Sequence, residues 1–497
     1  MRLADLAAAA RSRRLYGNAD LEILGLRHDS RLVQKGDLFF AVPGAKTDGN
    51  RHIKSACERG AAAIVSELDP PPPPATLSAA WVTVEDVAAA MGLMADRFFG
   101  HPSGAMTVFG VTGTNGKTTT TYFLESIVAA AGGTAGVVGT VDYRLGGKVV
   151  AKAPNTTPIS LELQRLLASF RDGGATHACL EVSSHALALK RVEEVDFDAA
   201  VFTNLTRDHL DFHHTMEEYL HAKAHLFELL NKTNSAKKKR VAVLNAEDPA
   251  IAAFQRAAAG AEIIKYGLSD KADFRASDLE ATITGTSFTV TWKGKRLNGN
   301  INLVGEHNVY NALAAAAAAL GTGISSDAVL RGLGDLAFVP GRLEPVSAGQ
   351  DFSVLVDYAH TAAALETVLT YLKKLPHNRL ITVFGCGGDR DKGKRGPMGV
   401  AAATGSDLAV LTSDNPRGED PQTIIGDVVL GLKTAGLKNY KIEPDRAAAI
   451  ELAVASARRG DIVLIAGKGH EDYQILRDRT IPFDDRAVAR AALGQGR

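Results

Sequence analysis

Residues 106–120 read Met-Thr-Val-Phe-Gly-Val-Thr-Gly-Thr-Asn-Gly-Lys-Thr-Thr-Thr. An apolar, β-rich run feeds a loop holding Gly113, Thr114, Asn115 and Gly116. Lys117, Thr118 and Thr119 follow, and then a helical stretch from Tyr122 to Ala131. A strand, a glycine-rich loop and a helix start in that order form a phosphate cradle. Backbone N–H groups and the helix N-terminus face an anion, the lysine reaches the outer phosphates, and a threonine hydroxyl ligates Mg2+. The usual spacing places a glycine five residues before Gly116, but Val111 stands there and the extra glycine is Gly110. The run predicts a site for a nucleoside triphosphate.

Further candidate residues follow other strand-like runs. Glu181-Val-Ser-Ser-His-Ala186 trails an apolar segment, as does Phe202-Thr-Asn-Leu-Thr-Arg-Asp-His-Leu-Asp211. Mg2+ prefers hard oxygen ligands, so Glu181 is a natural ligand and His209 a less usual one. Alone, His209 reads as a satisfied polar histidine; beside Asp208 and Asp211 it reads as a site residue. His221 and His225 share a helical face, but no glutamate stands where a zinc protease would place its base, so no zinc site is expected. Lys223, on a helical stretch from Thr215 to Leu230, would alone be a surface lysine.

Near the C-terminus come Arg390 in Gly387-Gly-Asp-Arg-Asp-Lys-Gly-Lys-Arg395, then Asp414-Asn415-Pro416-Arg417, then Gly467-Lys-Gly-His-Glu471. Asp-Asn-Pro by itself is equally turn and helix-start chemistry. Arginine forks hold carboxylates bidentately, and Glu471 can pair with an ammonium. Together they describe a site for a zwitterion with an additional carboxylate, an amino acid rather than a sugar or a base.

Positioning such loops requires alternating strands and helices. Strand-like runs at Val108–Val111, Ala135–Val138, His177–Val182, Ala199–Phe202 and Val241–Leu244 are separated by helical patterns, which predicts a parallel sheet with helices on both faces. Residues 280–297 alternate like an antiparallel hairpin, and an alanine-rich helix follows at 309–321. After a break at 338–344, Val354–Val356, Leu380–Phe384, Leu408–Leu411 and Ile462–Ala466 repeat the α/β pattern. The unusual residues gather at the carboxyl ends of these strands, where open sheets bind ligands. Short strands such as Leu38–Val42 and Ala61–Ser66 give residues 1–100 an α/β character of their own, and Pro70–Pro74 reads as a stiff surface insertion. The fold class is therefore α/β, with domains expected at 1–100, 101–337 and 338–497, a division that 497 residues allow.

Lysine plus arginine and aspartate plus glutamate number 56 each, which offers no bulk attraction to nucleic acid or membrane. Lys237-Lys-Lys-Arg240 reads as a solvated loop before a strand rather than a binding patch. Three scattered cysteines and the absence of an export signal or a membrane-length apolar run fit a soluble protein of the reducing cytoplasm.

The phosphate loop, Asn155-Thr-Thr-Pro158, Glu181–Leu187, Thr203–Asp211, Ala222-Lys223 and the C-terminal motifs occur in the order found in the Mur ligases of bacterial peptidoglycan synthesis. The resemblance runs from Asp29-Ser-Arg31 and Gly36-Asp-Leu-Phe39 to the last domain, and is strongest to the branch that adds diaminopimelate. It implies a central P-loop mononucleotide-binding sheet, an N-terminal UDP-binding domain and a C-terminal Rossmann-like domain. It also implies that Gly113 to Thr119, Asn308 and Arg342 hold ATP. Ser30 would meet the uridine end of a UDP-N-acetylmuramoyl-L-alanyl-D-glutamate substrate, and Thr156, Thr157, Ser183 and Arg191 its muramoyl-dipeptide part. Glu181, His209 and Thr118 would lie at Mg2+. Lys223 would be a carbamylated, anionic metal ligand, and Lys117 would be catalytic. Arg390, Asp414 to Arg417, Gly467 and Glu471 would bind meso-diaminopimelate, with Arg417 separating this branch from lysine-adding relatives. A monomer is expected. His360-Thr-Ala-Ala, Lys-Arg-Gly-Pro and Gly49-Asn-Arg-His52 depart from the commoner family pattern, the first at a helix start and the last at the uracil pocket. Rival readings are a lysine-adding ligase or folylpolyglutamate synthetase, a P-loop switch or motor that makes no bond, and a non-catalytic scaffold.

Overall fold

The computed structural model describes residues 1–44, 48–71, 79–231, 237 and 239–495. Pro72–Pro74 of the proline run and Lys238 lie outside the described residues. The chain divides into two compact units, Met1–Arg275 with Leu313–Gly332, and Ala276–Ala312 with Leu333–Arg497.

The first unit holds two sheets. One contains β1 (Arg14–Tyr16), β2 (Gly25–Arg27), β3 (Asp37–Phe40), β4 (Ala63–Ser66) and β5 (Ala80–Thr83) in the order β1-β5-β4-β3-β2. All neighbours are parallel except β1, which runs antiparallel along β5. Helix Val87–Phe98 covers one face, started by Asp86, whose carboxylate accepts the Ala89 N–H at 2.9 Å.

The second sheet contains β6 (Thr107–Thr112), β7 (Ala135–Val138), β8 (Asp142–Leu145), β9 (Lys148–Lys152), β10 (His177–Glu181), β11 (Ala199–Phe202), β12 (Val241–Asn245) and β13 (Glu262–Gly267). Their order is β13-β12-β11-β6-β10-β7-β8-β9. β6 lies between β10 and β11, parallel to both, so it is buried on both faces and reads as a continuous apolar run. Gly110 sits inside β6, where a Cβ would lie 2.7 Å from the Phe197 ring and 3.1 Å from Leu226. It serves close packing against the helix Met216–Glu228, not the phosphate loop.

In the basic tract before β12, Lys239 is exposed as a solvated loop would have it, but Lys237 and Arg240 are not. The Lys237 ammonium donates to Asp198 Oδ2 (2.6 Å), Asp196 O (2.7 Å) and Met106 O (2.8 Å), and Arg240 pairs with Asp196 at 2.7 Å. Backbone carbonyls at the start of parallel strands need donors, and these two cations supply them.

In the second unit, β14 (Gly285–Trp292) and β15 (Lys295–Ile301) form the expected hairpin, with Thr286 opposite Ile301 and Trp292 opposite Lys295. A separate sheet orders β16 (Glu344–Pro345), β17 (Ser353–Asp357), β18 (Leu380–Cys386), β19 (Leu408–Ser413), β20 (Tyr440–Ile442) and β21 (Ile462–Ala466) as β16-β17-β21-β18-β19-β20. Apart from β16 the strands are parallel, so β17, β18, β19 and β21 release their loops at one edge. The departure at His360-Thr-Ala-Ala leaves a regular helix start: Thr361 caps the helix Ala362–Leu372 by accepting the Ala364 N–H at 3.3 Å.

Arg446 ties this edge together. It is fully buried, grips Asp485 through two 2.7 Å bonds, and donates to the β21 carbonyl of Ala466 at 3.1 Å. Leaving one member of such a pair alone in the interior strands a charge, whereas replacing both with apolar groups is far cheaper. Arg446→Ala is expected to cost about 3–5 kcal/mol in chemical denaturation, and Arg446→Met combined with Asp485→Leu much less. Equal losses in the two variants would contradict this account.

Candidate active site

The phosphate loop leaves β6 and enters the helix Lys117–Ala130, which starts at Lys117 rather than Tyr122. Gly113 has φ +145°, and a Cβ there would run into Thr203 Oγ1; Gly116, at φ +89°, is the N-cap. Only glycine accommodates both demands. The segment after β11 braces the loop. The Thr114 N–H donates to Asn204 O (2.8 Å), the Asn115 N–H to Asn204 Oδ1 (3.0 Å), and the Thr203 hydroxyl to Asn115 O (2.6 Å). Thr118 and Thr119 are buried in the first helical turn.

Two lysines converge on one carbonyl. Lys117 Nζ donates to Gly113 O at 2.9 Å and to Thr114 O at 3.0 Å, and Lys223 Nζ donates to Gly113 O at 2.8 Å. Lys223 is 1% exposed, not a surface residue, and lies over the Tyr219 ring at 4.5 Å. Burial, then the neighbouring Lys117 charge, lowers its pKa well below the ordinary lysine value. Tyr219, one turn earlier on the same helix, shares a 3.2 Å hydrogen bond with the Thr114 hydroxyl. Its i, i+4 spacing from Lys223 was the one sequence signal that it belongs here.

Glu181, at the end of β10, is 1% exposed. It accepts from the Thr118 hydroxyl (3.0 Å), the Thr140 N–H (2.9 Å) and the Thr140 hydroxyl (2.9 Å). A carboxylate and a helix-start hydroxyl joined at the mouth of the cradle form a hard-oxygen donor set that fits Mg2+. Thr140, which the sequence reading missed, also meets the Thr156 hydroxyl at 3.0 Å. Thr157 donates to Glu181 O at 2.8 Å, accepts the Ser183 N–H at 3.1 Å, and offers its carbonyl to Arg191 Nη1 at 2.9 Å. Four expected substrate-binding residues thus join the Glu181 network. Ser30 begins a 3-10 turn after β2, which Asp29 starts by accepting the Arg31 N–H.

His209, at φ +53°, precedes a single helical turn, with Asp208 at 3.6 Å. Its ring stands edge-on to His185 at 5.0 Å and to Tyr219 at 6.0 Å. Burial is the main cause that lowers the pKa values of His185, His209 and His213. No group of three or more His, Cys, Asp or Glu able to hold a metal ion occurs among the described residues. His225 is taken by carboxylates, with Nε2 2.6 Å from Glu193 and Nδ1 2.7 Å from Glu228.

In the second unit, the loops after β18, β19 and β21 carry the expected amino-acid site. Arg417, at φ +51°, points Nη1 at Gly388 O (2.9 Å), and Arg390 is exposed on the neighbouring loop. Asn415 Nδ2 donates to Glu471 Oε2 at 2.9 Å. Lys468, fully buried and unassigned by sequence, donates to the same Oε2 and to Asn415 Oδ1, both at 3.1 Å. Glu471 therefore already balances one internal ammonium. Gly467, at φ +119°, lies where a Cβ would come within 2.8 Å of Asp414 Oδ2. Asp414 and Pro416 complete the turn, and Gln474 donates to Asp414 O at 2.6 Å. Asn308 is buried, bonded to Val304 O (2.8 Å) and Asn311 (3.0 Å), while Arg342 lies over the Tyr358 ring at 5.1 Å.

Three family descriptions match in order: residues 22–99 as the Mur ligase family catalytic domain, 111–319 as the Mur ligase middle domain, and 341–469 as the Mur ligase glutamate ligase domain. The chain belongs to the Mur ligase family, with N-terminal, middle and C-terminal domains. A UDP-N-acetylmuramoyl-L-alanyl-D-glutamate–2,6-diaminopimelate ligase of Solibacter usitatus (strain Ellin6076) is 48% identical over 96% of this chain and 94% of its own. The ligase of the same name from Geobacillus thermodenitrificans (strain NG80-2) is 46% identical over 97% and 96%. A solved ligase of that name superposes with TM-score 0.72 at 34% identity, covering 97% of this chain and 96% of its own. MurF ligase from Thermotoga maritima in complex with ADP, at 19% identity and TM-score 0.62, shares the fold. No helix among the described residues is long and apolar enough to cross a membrane.

The His225 bridge predicts a pH dependence. Its two carboxylate partners raise its pKa to about 9, above the unfolded value of 6.5. Its stabilisation is therefore complete below pH 6.5 and lost as the pH rises through about 9. With the side chain 34% exposed, solvent screening reduces the expected loss to about 1–2 kcal/mol. Denaturation midpoints at pH 6 and 9.5 should show this drop in the parent and not in His225→Gln.

Proposed function

We propose that the chain is an ATP-dependent ligase of the cytoplasm, acting as a monomer. It adds meso-diaminopimelate to the D-glutamyl γ-carboxylate of UDP-N-acetylmuramoyl-L-alanyl-D-glutamate, in peptidoglycan precursor synthesis. Residues 1–100 would receive the UDP-sugar, 101–337 ATP, and 338–497 the amino acid. The observation that carries the phosphoryl chemistry is the convergence of Lys117 and Lys223 on Gly113 O beside the Thr118–Glu181 pair. The substrates follow from the names of relatives that are nearly half identical along the whole chain.

Amide formation from a carboxylate and an amine is unfavourable in water, so the carboxylate is first activated. The γ-carboxylate oxygen attacks the γ-phosphorus of ATP, and the β,γ-bridging bond breaks to leave an acyl phosphate and ADP. The amine of diaminopimelate then attacks the acyl carbon, phosphate leaves, and the nitrogen loses a proton. Two anions must meet in the first step, so the site must offset their repulsion. Lys117 and the backbone N–H groups of Gly113 to Thr119 do so around the phosphates. Bound at Thr118, Glu181 and His209, Mg2+ would supply further neutralisation of the triphosphate.

Lys223 has the environment of a lysine that adds CO2. A neutral amine is the reactive form, and burial together with the Lys117 charge favours it. The carbamate would turn the amine into an anionic oxygen ligand for the metal. Thr156, Thr157, Ser183 and Arg191 would hold the muramoyl-dipeptide, with Ser30 at the uridine. Asn308 and Arg342 would lie at the nucleotide. Arg390, Arg417, Asp414 to Pro416, Gly467 and Glu471 would hold the amino acid, with Arg417 selecting its second carboxylate.

With the UDP-sugar dipeptide, ATP and Mg2+, phosphate release is expected with meso-diaminopimelate and not with L-lysine. Release independent of any amino acid would favour the switch or motor reading instead. Lys117→Ala should lower kcat about a hundredfold or more while the circular dichroism spectrum is kept. Arg417→Ala should raise KM for diaminopimelate and leave KM for ATP unchanged; a rise in both would remove its role as selector.

A further inference from the structure

The two arginines of the amino-acid site are carried by different loops, Arg390 after β18 and Arg417 after β19. Recognition of a diacid by two guanidinium groups depends on the distance between them. In the structure these loops are cross-linked. The Gly388 N–H donates to Asn415 O (2.9 Å), and the Gly418 N–H to Asp389 Oδ2 (2.9 Å). Gly388 lies so close to Pro416 O that no Cβ would fit, and a Cβ on Gly387 would lie 2.9 Å from Arg417 Nη1. Asp389 and Arg417 both hold left-handed backbone, φ +50° and +51°. Non-glycine residues persist in that region only where their surroundings over-determine them.

What over-determines them here is a carboxylate and a buried guanidinium. Glu419 Oε1 accepts the Asp389 N–H at 2.6 Å and Arg395 Nη2 at 2.8 Å. Arg395 is fully buried and also pairs with Asp427 at 2.8 Å, which anchors it to the helix Pro421–Thr434. The Arg395 guanidinium, with the Asp389 N–H, holds the Glu419 carboxyl down at about 2, so it is ionised throughout the neutral range. Arg395 and the Asp389 N–H thus hold Glu419 between the loop that carries Arg390 and the loop that carries Arg417.

We propose that Arg395 and Glu419 are positioning residues that set the spacing of Arg390 and Arg417, and so make this site prefer an amino acid with a second carboxylate. The proposal rests on the amino-acid-adding reading above. Neither side chain need touch the substrate.

The test compares Glu419→Ala with Glu419→Gln, which keeps an acceptor for the Asp389 N–H. In the full enzyme, Glu419→Ala is expected to raise KM for meso-diaminopimelate at least about tenfold, since hydrogen bonds to a charged group are lost. KM for ATP should stay within about twofold, and Glu419→Gln should recover most of the loss. Parallel rises in both KM values, or no rise, would overturn the proposal. Hydrogen exchange read by mass spectrometry checks the cross-link without any substrate. Faster exchange of segments 387–390 and 415–418 in Glu419→Ala, restored in Glu419→Gln, supports it; unchanged exchange overturns it. Failure of the parent enzyme to use meso-diaminopimelate would overturn the substrate reading and the stated preference together. The exchange result would still decide whether Glu419 holds the two loops.

Discussion

One backbone carbonyl, that of Gly113, organises the first unit. Its oxygen accepts from two lysine Nζ atoms, Lys117 on the helix that follows the loop and Lys223 on a helix more than a hundred residues later. Two lysines share an acceptor only where something fixes them there. Packing fixes Lys223: its helix rests against Gly110 of β6 and stacks Tyr219 under the ammonium. Local geometry fixes Lys117, at the first position of the helix Lys117–Ala130. Burial and the Lys117 charge both press Lys223 towards its neutral form, so the pair need not hold two positive charges at once.

The carboxylate opposite them is as firmly held. Glu181 accepts three hydrogen bonds from Thr118 and Thr140, and its own carbonyl is taken by Thr157. A single strand end thus connects the phosphate loop to the segment expected to hold the sugar-peptide. A shift of β10 relative to β6 would disturb both at once, which is why a parallel pairing buried on both faces suits the task. The second unit follows the same principle by other means. The buried pair of Arg446 with Asp485 and the buried Arg395 guanidinium, held by Glu419 and Asp427, pin loops at the edge of a parallel sheet, and Arg390 and Arg417 sit on those loops.

Much of this was legible in the chain. The strand–loop–helix order around Lys117, the strands at Ala135–Val138, Ala199–Phe202 and Ile462–Ala466, and the hairpin before the alanine-rich helix follow from hydrophobic period and turn chemistry. Thr361 shows local chemistry at work where the sequence departs from the commoner pattern, since its hydroxyl caps the helix that follows. Lys237 and Arg240 were misread as solvated, because charge density along a chain does not reveal that strand-start carbonyls and Asp196 and Asp198 wait nearby.

Residue types, spacing and local propensity thus determined the fold class, the phosphate loop and the candidate residues, because each depends on neighbours within a turn or a strand. Tertiary structure alone decided which groups share a partner. It made Lys223 buried rather than exposed, gave Glu181 to Thr140, paired Glu471 with Lys468, and set Glu419 between two arginine loops. Burial and long-range hydrogen bonding decide charge state and spacing, and both arise only when distant segments are packed together.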